Sequence, residues 1–399
     1  MSTRQKRIGV WLALFAVNVF AVEPSISHVT VRQRWPWSRL VDIDYVLTCD
    51  ADDAVDVALE AFDGTTPLPV PVESLFGDRY GVRRGARRII WDPGKTAYSN
   101  DIQIARFNVR LTPSRVPLYL IVSLTTPAGS SPVIEQVFEK DLHAGLWGSV
   151  VTNPVEGIES IVWAGVTNGT AYKTDKLVLR RVTAGRFLFG GNKETVVSND
   201  FYISVFELTQ GQRKNLTGAF NSGSYYSGAD RALHPEEKVS YVFARGAESD
   251  TPPVNWPVTG SLVSEGSLAA LLRAKSGLLF DLPDKIQWEY ACRAGTTTLF
   301  NSGSNEDSAL EELGWYNGNA GGNTKEVGLK KPNAWGLYDM HGNIEEFCLD
   351  WHDAEHTQRH RRNGSWYTGL TTCAATYASG RTPINTGGTM GFRFVAVLP

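Results

Sequence analysis

The densest chemical grouping in the chain is His352-Asp353-Ala354-Glu355-His356, an H-x-x-E-H pattern with His360 one further step along. On a helix His352, His356 and His360 would share one face and offer three imidazoles to zinc. No apolar helical stripe surrounds them, and a basic run from Arg359 to Arg362 overlaps their end. That context reads as a solvated loop. Asp50, Asp52, Asp53 and Asp56 are close enough together to hold calcium, but such clusters are more often acidic, solvated turns. Ser365 has glycine on one side only and no obvious partner base, which does not support a serine hydrolase. No P-loop, dinucleotide fingerprint or nucleophile elbow is present. Cys49, Cys292, Cys348 and Cys373 allow three complete pairings. Buried free thiols and one bridge among the C-terminal three remain equal alternatives.

These residues need elements to hold them. The 399 residues suggest two or three domains, and 42% hydrophobic with 20% charged residues is a globular composition. That excludes a disordered tail, a collagen-like fibre and a multi-span membrane protein. Arg4, Lys6 and Arg7 precede an apolar run from Val10 to Phe20, and Val19 and Ala21 supply small residues for a signal-peptidase site. Residues 1–21 are therefore expected to be a signal peptide, which makes the protein secreted, periplasmic or surface-located, with no membrane span after cleavage. The formal charge of −3 argues against a nucleic-acid partner.

From 25 to 124 the pattern has period two. Val41, Ile43, Tyr45 and Leu47 alternate along one run, and Asp63-Gly64 and Asp92-Pro93-Gly94 mark turns between such runs. This spacing predicts an all-β, immunoglobulin-like sandwich, with Leu118 to Val122 as its last strand. Residues 125–172, rich in Thr, Pro, Gly, Ser and Asn, read as a linker. From 173 to 399 two helices are expected, Leu262 to Ser276 and Pro283 to Ala294, each closed by glycine. Short strands and long Gly/Asn loops surround them, giving an α+β domain.

Several segments of that domain resemble the formylglycine-generating enzyme (sulfatase-modifying factor) family. They run in order: Val182 to Gly190, Phe201-Tyr202-Ile203 with Phe206 to Thr209, and Pro253-Val254-Asn255-Trp256. Leu282 to Arg293, Asn333 to Asn343, Asn363-Gly364-Ser365-Trp366 and Gly391-Phe392-Arg393-Phe394 complete the series. The resemblance implies a C-type-lectin-like fold elaborated with loops.

It also implies a site. The family's oxidase chemistry converts a substrate cysteine to formylglycine with oxygen, using two cysteines five residues apart that bind Cu(I). Here the first position falls on Thr368 and the second on Cys373. A threonine hydroxyl is a hard, neutral oxygen and a poor substitute for a thiolate, which disfavours copper. Ser365 matches the active-site serine, Arg381 a cleft arginine, and Glu345-Glu346-Phe347 replaces the usual Trp-Glu-Trp. The resemblance further implies a loop-clamping calcium held by Asp339, Gly342, Ile344 and Glu346, a donor set suited to a hard cation. The expected function is a non-oxidase recognition module for a peptide, protein or glycan, with Tyr367, Trp366 and Trp351 nearest its cleft. The alternative is a formylglycine-generating-type oxidoreductase that pairs Cys373 with Cys348 or with a residue of another chain.

Overall fold

The structure, a computed structural model, describes residues 22–398 except 35–37, 72–73, 97, 99–103, 128–132, 153 and 247–262. The expected signal peptide and the Pro253-Val254-Asn255-Trp256 segment lie outside the described residues.

The first seven strands are β1 (Ser25–Gln33), β2 (Val41–Thr48), β3 (Val55–Asp63), β4 (Thr66–Leu68), β5 (Leu75–Gly77), β6 (Gly85–Trp91) and β7 (Phe107–Arg115). They form two antiparallel sheets, in the orders β1-β2-β6-β5 and β4-β3-β7. The alternation along β2 does what its period requires, because Val41, Ile43, Tyr45 and Leu47 enter one core with Val55 and Val57 of β3. Trp91 of β6 closes that core by stacking on Phe107 of β7, with centroids 5.4 Å apart.

The next strand, β8 (Tyr119–Ser123), does not stay with these sheets. It pairs with β9 (Ile134–Val137) on one side and with β12 (Lys176–Val182) on the other, after the short pair β10 (Val150–Thr152) and β11 (Ile161–Trp163). Strands β13 (Gly185–Phe189) and β14 (Lys193–Val197) make a separate hairpin. Strands β15 (Phe201–Ser204), β16 (Leu279–Asp281) and β21 (Val395–Val397) complete a six-stranded sheet in the order β16-β21-β15-β12-β8-β9. The expectation that Leu118 to Val122 closes the sandwich is thus corrected. The strand is apolar on both faces, as a strand inside a covered sheet must be. Leu120 and Val122 face the main core, while Tyr119 and Ile121 face a second cluster.

That second cluster includes Leu142, Ile161, Trp163 and Val166. Residues read as linker therefore cover a sheet face, and their apolar islands are the parts that do so. The two units are also fastened by charge. Arg181 of β12 is ion-paired with both Asp56 of β3 and Asp200. Asp53 pairs with Arg115, so two carboxylates of the acidic cluster are buried anchors rather than a solvated turn. Removing Asp56 alone would leave Arg181 less compensated, at a cost of about 3 kcal/mol.

Helix Lys285–Arg293 starts with a capping box between Asp284 and Gln287 and ends on Ala294 in the left-handed conformation. The other expected helix is shorter than predicted and runs Leu268–Ser276, because Ser267 caps it by accepting from the Ala270 amide. A four-stranded sheet, β19 (Ala378–Arg381), β18 (Arg359–Arg362), β17 (Glu345–Trp351) and β20 (Met390–Gly391), carries the functional loop. Among the described residues no helix is long and apolar enough to cross a membrane.

Candidate recognition site

The chain leaves β18 at Asn363 with φ +66° and turns at once through Gly364. A Cβ on Gly364 would sit 2.5 Å from Cys373 Sγ and 2.9 Å from Thr368 Oγ1. Only glycine fits there, and the two positions implied by the resemblance do converge over it. Their chemistry is not that of a copper site. Thr368 Oγ1 accepts from the Ser365 amide at 2.8 Å and donates to the Ser365 carbonyl at 3.2 Å, so the hydroxyl closes a local turn. Burial pushes the Cys373 thiol up to about 12, with the Glu345 charge adding to it and bonds from Thr372 and Thr368 opposing. The Sγ donates weakly to the Gly369 carbonyl at 3.7 Å. One hydroxyl and one protonated thiol do not fit Cu(I), which needs thiolates.

Ser365 is fully buried, and its Oγ stands 3.5 Å from Thr368 Oγ1. Arg381, at the end of β19, is exposed and makes no ion pair among the described residues. Glu345 is buried against Arg361, to which it is ion-paired, and accepts from Thr389 Oγ1 at 3.1 Å. Burial lowers the Arg361 pKa, Glu345 raises it, and Arg381 lowers it again. The carboxylate that replaces an indole is thus neutralised internally, and Arg381 keeps the free positive charge of this group.

Beside this pair of turns the surface is aromatic. Trp366 is anchored by its indole N–H, which donates to the Gly388 carbonyl at 3.0 Å. Tyr225 stacks on it at 5.3 Å and 21°, and Tyr367 meets its edge at 5.5 Å. Tyr225 is 56% exposed and Tyr367 69% exposed, so two rings face solvent around a fixed third. Trp351 does not join them. Its ring is covered by the Arg359 guanidinium at 3.4 Å and stacked by His356 at 5.2 Å.

The calcium set is engaged by protein groups. The Asn363 side-chain NH2 donates to the carbonyls of Asp339 (3.1 Å), Gly342 (2.7 Å) and Ile344 (3.2 Å). Its Oδ1 accepts from the Gly342 and Gly364 amides, which fixes the orientation of the amide. Glu346 is chelated by Arg393 through Nε and Nη2 and accepts from Trp288 Nε1 at 2.6 Å. Asp339 Oδ2 accepts from Gly328, and only its Oδ1 lacks a partner. Burial pushes this carboxyl up to about 6. Asn363 and Arg393 thus engage part of the oxygen set that the resemblance implies for calcium.

The H-x-x-E-H segment forms a turn between β17 and β18 rather than a helix. His352 and His360 meet through their Nδ1 atoms at 3.3 Å, while His356 lies on Trp351. Among the described residues no group of three His, Cys, Asp or Glu is placed to hold a metal. All four cysteines are free and buried.

Residues 166–398 match the family described as the sulfatase-modifying factor enzyme 1-like domain, which is more than half of the chain. The chain belongs to this family. One protein to which the chain is similar is the chaperone protein LppX of Paenibacillus barcinonensis. It is 28% identical over 259 residues, covering 53% of this chain and 85% of that protein. Among solved structures, the Treponema denticola variable protein 1 aligns with TM-score 0.44 and 24% identity, over 55% of this chain and 95% of that one. PvdO from Pseudomonas aeruginosa aligns with TM-score 0.43 and 22% identity, over 56% and 95%.

Sequence reasoning missed Tyr225, which reaches Trp366 from a loop about 140 residues earlier. It also missed the role of Asn363. The signal for that one was visible, since this asparagine opens the Asn363-Gly364-Ser365-Trp366 segment that carries the resemblance.

Proposed function

We propose that this sulfatase-modifying-factor-like protein is an exported, non-oxidase recognition module that binds a glycan on the Tyr225–Trp366–Tyr367 surface. The observation that carries this reading is the pairing of a spent Thr368 hydroxyl with a Cys373 thiol whose pKa is pushed up to about 12. A site with one thiol and no second thiolate beside it retains its scaffold and an exposed aromatic face. Rings with one fixed edge and two open faces suit the apolar face of a sugar. A relative 28% identical carries the name chaperone, which is compatible with a binding role. The pairing of Cys373 with Cys348 in the oxidase alternative gains no support, because the two belong to separate buried clusters. Burial also raises the Cys348 thiol. The test is a glycan screen of residues 22–399 beside Trp366→Ala and Tyr367→Ala. Binding that survives both substitutions would sink the assignment.

A further inference from the structure

A cleft of about 590 Å3 lies where the all-β strands meet the six-stranded sheet. None of its lining residues belongs to the loop from Asn363 to Cys373. Its apolar walls come from Tyr80, Leu118, Ile161 and Trp335. Two adjacent arginines of β12 line it, and they differ in one respect. Arg181 is satisfied by Asp56 and Asp200. Arg180, only 7% exposed, has no carboxylate within ion-pair distance among the described residues.

Arg180 donates through Nε to the Trp335 carbonyl at 3.1 Å and through Nη1 to the Arg181 carbonyl at 2.9 Å. Its guanidinium stands 5.2 Å from the centre of the Tyr119 ring. A guanidinium has five N–H donors, so two carbonyl bonds and a contact with the Tyr119 hydroxyl still leave donors of the fork for a ligand. Arg180 is nearly buried and feels Glu139 only from beyond ion-pair distance, so an anion entering the cleft would offset the cost of burying its charge. The rim restricts the anion. Glu139, ion-paired to Arg83 and 3.6 Å from His143, and the exposed Glu159 would repel a doubly charged group. We propose that this cleft binds a compact monocarboxylate with an apolar body, its carboxylate on the Arg180 fork and its body between Trp335, Tyr80 and Ile161. A planar carboxylate matches the fork in two parallel bonds, which a dianionic phosphate would do only against the rim charges.

The test titrates residues 22–399 with benzoate and N-acetylphenylalanine, and with the neutral amide of each, by calorimetry. The acids are expected to bind about tenfold or more tightly than their amides. Arg180→Met is expected to remove that preference, and Arg180→Lys to weaken it, because an ammonium lacks the fork. Tighter binding of N-acetylphenylalanine than of benzoate would assign the site to a peptide C-terminus, and the reverse to a small free acid. Equal binding of acid and amide, or no binding of either acid up to roughly 10 mM, would overturn the proposal. So would an acid preference unchanged in a folded Arg180→Met protein. Should that variant not fold, the acid–amide comparison on the unaltered chain and Arg180→Lys decide the matter.

Discussion

The Nδ1 atom of His341 lies 2.7 Å from the carbonyl oxygen of Cys373. The other ring nitrogen, Nε2, accepts from the Asn301 amide at 3.1 Å, so the proton is on Nδ1 and His341 donates to Cys373. The ring is fully buried and neutral, and burial pulls its pKa down to about 4. A residue of the diagnostic Asn333-to-Asn343 stretch thereby fixes the backbone of the residue that would have been a copper ligand.

This contact makes a pH prediction. In the unfolded chain His341 takes up a proton near pH 6.5, whereas in the folded chain it does so only near 4. Stability from this group is present above pH 6.5 and is lost as the pH falls toward 4, by on the order of 3 kcal/mol. Denaturant titrations at pH 7 and pH 4.5 check it. Replacing the ring by His341→Gln should flatten this part of the profile.

Glu236 acts in the opposite direction. Neither of its buried oxygens has a hydrogen-bond partner, although Arg213 Nε stands 3.3 Å away. Burial pushes this carboxyl up to about 7. Its stabilising contribution is present below about pH 4.5 and is lost as the pH rises through 7. Glu236→Gln should therefore raise stability at pH 8 by about 1–2 kcal/mol, with little change at pH 5. Equal effects at both pH values would contradict this.

Asn363 predicts the response to calcium. Its NH2 group meets three carbonyl oxygens, so neither millimolar calcium nor chelator should move the Tm of the unaltered chain. Asn363→Asp turns that donor into a repelled carboxylate oxygen and should lower the Tm by about 10 °C. Calcium should then restore part of the loss, because the new carboxylate and the carbonyls form a hard-oxygen set. A rise in Tm of the unaltered chain with calcium would show that a metal, not the amide, clamps this loop.

Much of this was legible in the sequence for a physical reason. The helix from Lys285 to Arg293 carries its own stop signals, and Val41 to Leu47 bury alternate side chains in a single core. The ordered segments from Val182 to Phe394 revealed the family. What escaped were partners brought together only by the fold. The sheet takes β8 because both of its faces are apolar, a pattern that a sandwich strand and a covered strand share over five residues. The acidic turn hid Arg115 and Arg181, which lie 62 and 125 residues away from their carboxylates. Trp351 looked available because nothing in the sequence shows Arg359 lying on its ring.

Thr368 predicts a gain of function in metal binding. Its Oγ1 and Cys373 Sγ both lie against Gly364, so Thr368→Cys places a second sulfur in the same crowded turn. Affinity for Cu(I), measured by competition with a chromogenic chelator, should rise by about tenfold or more, since paired thiolates suit a soft cation. Unchanged affinity would mean that the two side chains cannot share an ion.

Incubating residues 22–399 with Cu(I), oxygen, reductant and a Cys-x-Pro-x-Arg peptide, followed by mass spectrometry, tests the central claim most directly. With the Thr368 hydroxyl committed to Ser365 and the Cys373 thiol protonated, the peptide cysteine should remain unconverted while an active family enzyme converts it alongside. Formation of the aldehyde would contradict the recognition-module account and show that Cys373 serves an oxidase through a different ligand set.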